Sequence, residues 1–259
     1  DNHAIFGVAD AYKQNGRHII TTEIEHHAVL NTCKQLEKQG YEVTYLPVDH
    51  TGMVSAADVE KALREDTILV TVMYGNNESG TIQPIKDIGD LLQDHQAIFH
   101  TDAVQAYGLE KIDVKKIGID LLSVSAHKIN GPKGIGFLYA KKDVKLSSRL
   151  FGGEQERKRR AGTENVPSIA GFAAAVQIAQ HNLEKRRDEY ISYKQALMKK
   201  LTENDIQFLY NGSDNHSLPH ILNLSFPGTN VEAMLVNLDL AGIAASSGSA
   251  CTAGAIEPS

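Results

Sequence analysis

Residues 97–134 read AIFHTDAVQAYGLEKIDVKKIGIDLLSVSAHKINGPKG. Two short apolar runs, 97–101 and 120–125, each pass into a polar cluster: His100-Thr101-Asp102 after the first, Ser125-Ala126-His127-Lys128 after the second. Lys128 follows Asp102 by 26 residues, about the length of one strand–helix–strand unit, so the two clusters are expected at the ends of nearby parallel strands. Working outward, β-branched or apolar runs at 17–21, 41–46 and 67–73 read as strands before them, and 134–140 reads as a strand after the Gly131-Pro132 turn. Helical signals lie between. An opening helix is expected at 2–14. Another, at 26–39, puts Val29, Cys33 and Leu36 on one face and stops at Gly40. Ser55 with Asp58 reads as an N-cap, and Pro84 suits the first turn of a helix running to about Asp94. This rhythm predicts an α/β fold, a mostly parallel sheet with helices on both faces.

The pattern changes after Val166. Ile169, Phe172, Val176, Ala179, Leu183, Tyr190 and Leu197 recur at spacings of three, four or seven, which predicts one long helix or two in succession. Beyond it, 221–226 and 243–246 read as strands, and Val231, Met234, Leu235 and Leu238 as one helical face. The expected division is a large domain at 1–183 and a smaller α+β domain at 184–259. The chain opens without Met, directly into a helix, and stops after a loop, so both domains are expected to be incomplete, the piece belonging to a longer protein.

Composition narrows the class. With 259 residues, 42% hydrophobic and 22% charged, the chain is an ordinary globular one, and a net charge of −6 argues against general nucleic-acid or membrane-surface binding. No apolar run approaches the roughly 18 residues of a spanning helix, and no signal-peptide pattern is present. Two cysteines, Cys33 and Cys251, make neither a disulfide framework nor a CxxC metal site; no metal is expected, and a cytoplasmic location is.

Four groups of residues bear on chemistry. Lys128, held at a strand end and followed by Gly131-Pro132-Lys133-Gly134, is placed to act as an amine nucleophile toward a carbonyl, although an isolated lysine is ordinarily a solvated surface residue. Asp102 reads either as a helix N-cap or as a buried carboxylate; beside Lys128, a carboxylate suits a pyridoxal phosphate site, where it keeps the ring nitrogen protonated, with Gln105 reaching the ring hydroxyl. Glu25-His26-His27 opens a helix, and Asn76-Asn77-Glu78 closes a strand. Adjacent histidines on a helix diverge by about 100°, so stacking on a flat ring is a better role for an imidazole there than sharing a metal, although a histidine in such a place is ordinarily a surface residue. Finally, 244–255 reads AASSGSACTAGA, which lacks large apolar anchors and carries Cys251 as a nucleophile candidate; Cys33 reads as a buried small residue.

With these residues in hand, the chain resembles the NifS/IscS group of cysteine desulfurases, class V of the aminotransferase superfamily, with pyridoxal phosphate fold type I. The resemblance is collinear over essentially the whole chain. It is carried by TEIEHHAVL (22–30), NNESGTIQPI (76–85), HTDAVQA (100–106), SVSAHKINGPKGIG (123–136), RRAGTENV (159–166) and SSGSACTAGAIEPS (246–259).

The resemblance implies that Lys128 forms the imine with pyridoxal 5'-phosphate and, once displaced by L-cysteine, removes its Cα proton. It implies that Asp102 pairs with the pyridinium nitrogen and that His26 stacks on the ring and assists proton transfers. Asn77 and Gln105 would meet the hydroxyl side, and Ser125 and His127 the phosphate. Thr163 would reach a phosphate across the interface of a homodimer. Cys251 would take the sulfur as a persulfide, leaving alanine, and pass it to acceptor proteins serving iron–sulfur assembly or tRNA and cofactor thiolation. The family's A-T-E-S phosphate segment belongs just before Asp1 and its substrate-carboxylate arginine beyond Ser259, so this polypeptide alone is expected to be weakly active or inactive. The alternatives are a selenocysteine lyase, an aminotransferase, or a non-catalytic sulfur-relay scaffold. The basic run Arg157-Lys158-Arg159-Arg160 is expected to be a solvated loop or a dimer contact.

Overall fold

The structure, a computed structural model, describes residues 1–248. Six strands form the main sheet: β1 (His18–Thr22), β2 (Glu42–Leu46), β3 (Thr67–Thr71), β4 (Ile98–Asp102), β5 (Leu121–Ser125) and β6 (Gly136–Ala140). Their order is β2-β1-β3-β4-β5-β6; the first five run parallel, and β6 returns antiparallel along β5. The expected strands are therefore all present, with ends shifted by a residue or two.

Consecutive residues on a strand face opposite sides, so a sheet buried on both sides needs pairs of apolar neighbours. The strands supply them. Ile19, Leu69, Ile98 and Leu121 enter one core, where α1 (Asn2–Tyr12) contributes Ile5 and Val8 and α2 (His27–Glu37) contributes Val29, Cys33 and Leu36. Ile20, Val70, Phe99 and Leu122 enter the other. There they meet Val59 of α3 (Ala56–Ala62) and Ile85 and Ile88 of α4 (Ile85–Leu91). Each large aliphatic side chain so buried contributes roughly 1.5–3 kcal/mol of transfer free energy.

Helix ends differ in detail from the reading of the sequence. Gly40 takes φ 85° as expected of a stop signal, but α2 itself ends at Glu37. Ser55 occupies the N-cap of α3 without a side-chain capping bond, and α4 ends at Leu91 instead of Asp94. The short α5 (Val114–Ile117) is capped by the Asp113 carboxylate, which accepts from the amides of Lys115 and Lys116.

The long periodic segment divides at Asn182 into α6 (Val166–His181) and α7 (Leu183–Glu203). Asn165 caps α6 by accepting from the Ser168 amide. The buried face of α6 is small where it meets the turn after β5: a Cβ on Gly171 would lie 2.8 Å from Pro132 Cγ, and a Cβ on Gly131 would lie 3.2 Å from Ala175 Cβ. That close approach seats the lysine-bearing turn against a helix.

A second, two-stranded sheet pairs β7 (Leu209–Asn211) with β8 (Asn223–Ser225) antiparallel, followed by α8 (Val231–Leu240). The expected strand at 221–226 is thus the shorter β8. The expected strand at 243–246 does not form: Ile243 is exposed, the following Ala-Ala-Ser-Ser has little β preference, and no described strand lies beside it to complete a ladder. On α8, Met234, Leu235 and Leu238 are half-buried while Val231 is exposed. No helix among the described residues is long and apolar enough to cross a membrane.

Candidate active site

The C-terminal ends of four neighbouring parallel strands gather the expected site residues. From β1 the chain turns through Glu25 to His26, the N-cap of α2. From β3 it enters the loop bearing Asn76 and Asn77; Asp102 is the last residue of β4, with Gln105 in the turn beyond; β5 ends at Ser125 and runs into a 3-10 turn, Ala126–Ile129, that carries His127 and Lys128. Such an edge is where ligands bind in open α/β sheets.

Asp102 is 6% exposed, and its Oδ1 accepts from the Val104 amide at 2.9 Å. Burial raises its pKa, while the Val104 bond and, in falling order, the Asp1 amino group, His26 and Lys128 act the other way. One ligand-type atom each of Asp1, His26 and Asp102 lies within 4.8 Å of the others. His26 and Asp102 thus lie close together, and Lys128 sits in the turn after the neighbouring strand β5. His26 Nδ1 accepts from the Ala28 amide at 3.2 Å, which leaves the ring proton of the neutral imidazole on Nε2. The ring of His27 lies 6.2 Å away at 47°, so the two histidines do not act as a pair.

Ser125 Oγ and His127 Nδ1 are 2.7 Å apart. Burial and the charges of Lys128 and Lys133 lower the His127 pKa, the mark of an electropositive corner. Thr163 lies exposed in the loop before α6. In that same loop the basic run follows a left-handed turn, with Glu156, Arg157 and Lys158 at φ 49°, 58° and 66°. Arg159 donates to the Val144 carbonyl and Arg160 to that of Ala161. Cys251 lies outside the described residues.

Several participants carry no signal in the sequence beyond their residue type. Glu25 is fully buried: its Oε1 accepts from Thr22 Oγ1 at 2.7 Å and from the Met73 amide at 2.9 Å, tying the turn before His26 to the end of β3. Asn76 completes the tie, donating to the Ile24 carbonyl at 3.0 Å while its Oδ1 accepts from the amides of Glu78 and Ser79. His220 brings Nε2 to 3.3 Å from Gln105 Oε1, and desolvation together with Arg186, Lys128 and Lys194 lowers its pKa. An isolated histidine after a proline gives no hint of such a contact.

The mostly parallel six-stranded sheet, flanked by helices and carrying these residues on and after its strand ends, is the architecture of pyridoxal phosphate fold type I. The sequence pattern described as Aminotransferase class-V matches residues 2–258, and the chain belongs to that family, within its cysteine desulfurase group. It is 63% identical over its whole length to the putative cysteine desulfurase IscS 1 of Bacillus subtilis (strain 168), covering 68% of that protein. It is 51% identical, again over its whole length, to the cysteine desulfurase IscS of Methanosarcina thermophila, covering 64%. Among solved structures, a NifS-like protein superposes with a TM-score of 0.91 at 38% identity, over 95% of this chain and 67% of that one. SspA in complex with cysteine gives 0.80 at 38%, over 96% and 69%. The chain thus spans about two thirds of the length of these relatives.

Proposed function

We propose that this chain forms the pyridoxal phosphate-binding part of a cysteine desulfurase that takes sulfur from L-cysteine, releases L-alanine and hands the sulfur to acceptor proteins. The observation that supports the reading is the approach of His26 to the buried Asp102 carboxylate at the end of β4, beside the strand whose following turn carries Lys128. The donor set suits the cofactor: a primary amine, a carboxylate in an apolar setting, and a hydroxyl–imidazole pair in an electropositive corner.

Pyridoxal phosphate, when bound, supplies a carbonyl that condenses with amines and a ring that accepts electrons. Lys128 Nζ would hold the cofactor's carbonyl carbon and would serve as the base for the substrate's Cα proton. Asp102 would hold a proton at the ring nitrogen, and its burial would strengthen that pairing. His26 stacks on the ring with Nε2–H available for proton transfer. Gln105 and Asn77 orient the hydroxyl side, and Ser125 and His127 bind the phosphate. Thr163, exposed before α6, would serve a second subunit of a homodimer, and Cys251 would accept the sulfur. The site-bearing domain is 1–183 and the cysteine-bearing domain 184–259, in a reducing cytoplasm.

The test is cysteine-dependent alanine release by the full-length protein, with Lys128→Ala and Cys251→Ala. Loss of visible absorbance in the first and loss of persulfide in the second is expected. A Cys251→Ala protein that still transfers sulfur at the wild-type rate overturns the reading in favour of another class V chemistry.

A further inference from the structure

His100 lies on β4 two residues before Asp102 and faces the same side of the sheet. It is fully buried, and burial holds it neutral, its pKa well below that of a free imidazole. Both ring nitrogens are engaged. Nδ1 lies 2.8 Å from Thr71 Oγ1 on β3, and Nε2 lies 2.9 Å from Ser123 Oγ on β5. Thr71 is the register partner of His100, and Ser123 is the register partner of Asp102. One side chain thus bridges the three strands whose ends carry Asn77, Asp102 and Lys128. An apolar side chain would fill this interior at less desolvation cost, whereas a satisfied polar row fixes one lateral arrangement of its neighbours.

A second row of the same build stands at the opposite edge. His18, also fully buried, places Nδ1 2.8 Å from Thr67 Oγ1 and Nε2 2.8 Å from Thr44 Oγ1, bridging β3, β1 and β2 where the strands begin. Among the described residues, none of the proposed site residues lies at that edge, so the molecule contains its own control.

We propose that His100 is a positioning residue: by holding Thr71 on one side and Ser123 on the other, it locks the ends of β3, β4 and β5 together and sets the Asp102 carboxylate in place relative to Lys128. The catalytic part of this statement rests on the proposed cofactor site; the locking part does not.

The experiment compares His100→Phe, His100→Gln, Ser123→Ala and His18→Phe in the full-length protein, at conditions where each is folded. Two quantities are read: amide exchange in the cofactor-free protein at Val72, Tyr74 and Ala103, whose N–H groups bond to His100, Asp102 and Ser123 carbonyls, and the Kd for pyridoxal phosphate from its visible absorbance. His100→Phe is expected to speed exchange at these three amides and raise Kd about tenfold or more. Ser123→Ala, which leaves packing intact, is expected to move both in the same direction by less. His100→Gln, whose carboxamide presents two polar atoms spaced like the ring nitrogens, is expected to stay near wild type. His18→Phe is expected to lower the melting temperature while leaving Kd and these amides unchanged. The proposal is overturned if His100→Phe and His18→Phe weaken cofactor binding equally, or if neither His100→Phe nor Ser123→Ala changes exchange at the three amides. A wild-type protein that takes up no cofactor overturns the cofactor site instead, and the exchange data then decide the lock alone.

Discussion

The carboxyl of Glu25 accepts a hydrogen bond from the backbone amide of Met73 at 2.9 Å, in a buried setting. Desolvation raises its pKa to about 8, with the negative charge of Asp102 adding to the rise and the bonds from Met73 and Thr22 opposing it. The folded protein therefore keeps a proton on this side chain that the unfolded chain, at the ordinary value of 4.5, has released. Stability from this residue is fully present below the unfolded value and is lost as pH rises through about 8, at roughly 1.4 kcal/mol per pH unit inside the window. Glu25→Gln mimics the neutral acid, so its stability relative to wild type is expected to climb steadily between pH 5 and pH 8 in denaturant titrations. A constant difference across that range would show the native carboxyl to be ionised.

Asp102→Asn preserves the oxygen that accepts from Val104, so the turn after β4 is expected to survive. What it removes is the charge. Alanine release is expected to fall about 10²–10³-fold, with an unchanged circular dichroism spectrum. Activity within a factor of about two of wild type would remove Asp102 from the proposed chemistry.

Cys33 is buried at 0% exposure among Ile5, Val29 and Leu36, and burial pushes its thiol up to about 12. A thiol so placed is neither ionised nor reachable. In the 259-residue chain carrying Cys251→Ser, Cys33 is the remaining thiol, and a chromogenic disulfide reagent is expected to find nothing until denaturant is added. Rapid labelling of the folded variant would contradict the packing described for α2.

Gly171 faces Pro132 so closely that any larger side chain must push the turn after Lys128 away. Gly171→Val is expected to weaken visible absorbance at fixed cofactor concentration, whereas Ala173→Val, on the exposed face of the same helix, is expected to leave it unchanged. Helix content by circular dichroism separates this from simple loss of α6.

The strands of the main sheet were legible because each carries adjacent apolar residues, such as Ile19-Ile20 and Ile98-Phe99, that nothing but a doubly covered sheet can bury. Lys128, Asp102 and His26 were legible through residue type and their position at the ends of such runs. Their supporting partners were not. Glu25 depends on Met73, 48 residues on; His100 on Thr71 and Ser123, 29 and 23 residues away; Gln105 on His220, 115 residues away. Those relations exist once the strands lie side by side, and no local pattern announces them. The three-residue β7 leaves no mark in the sequence for a simpler reason: it is too short to show any alternation, and its existence depends on β8.

The four strand ends that supply the site come from chain positions as far apart as His26 and Lys128, and between them runs most of the sheet. With Lys128 as the proposed cofactor lysine, β5 and the turn after it must be in place before the colour of bound pyridoxal phosphate develops, so that colour would serve as a gauge of sheet assembly.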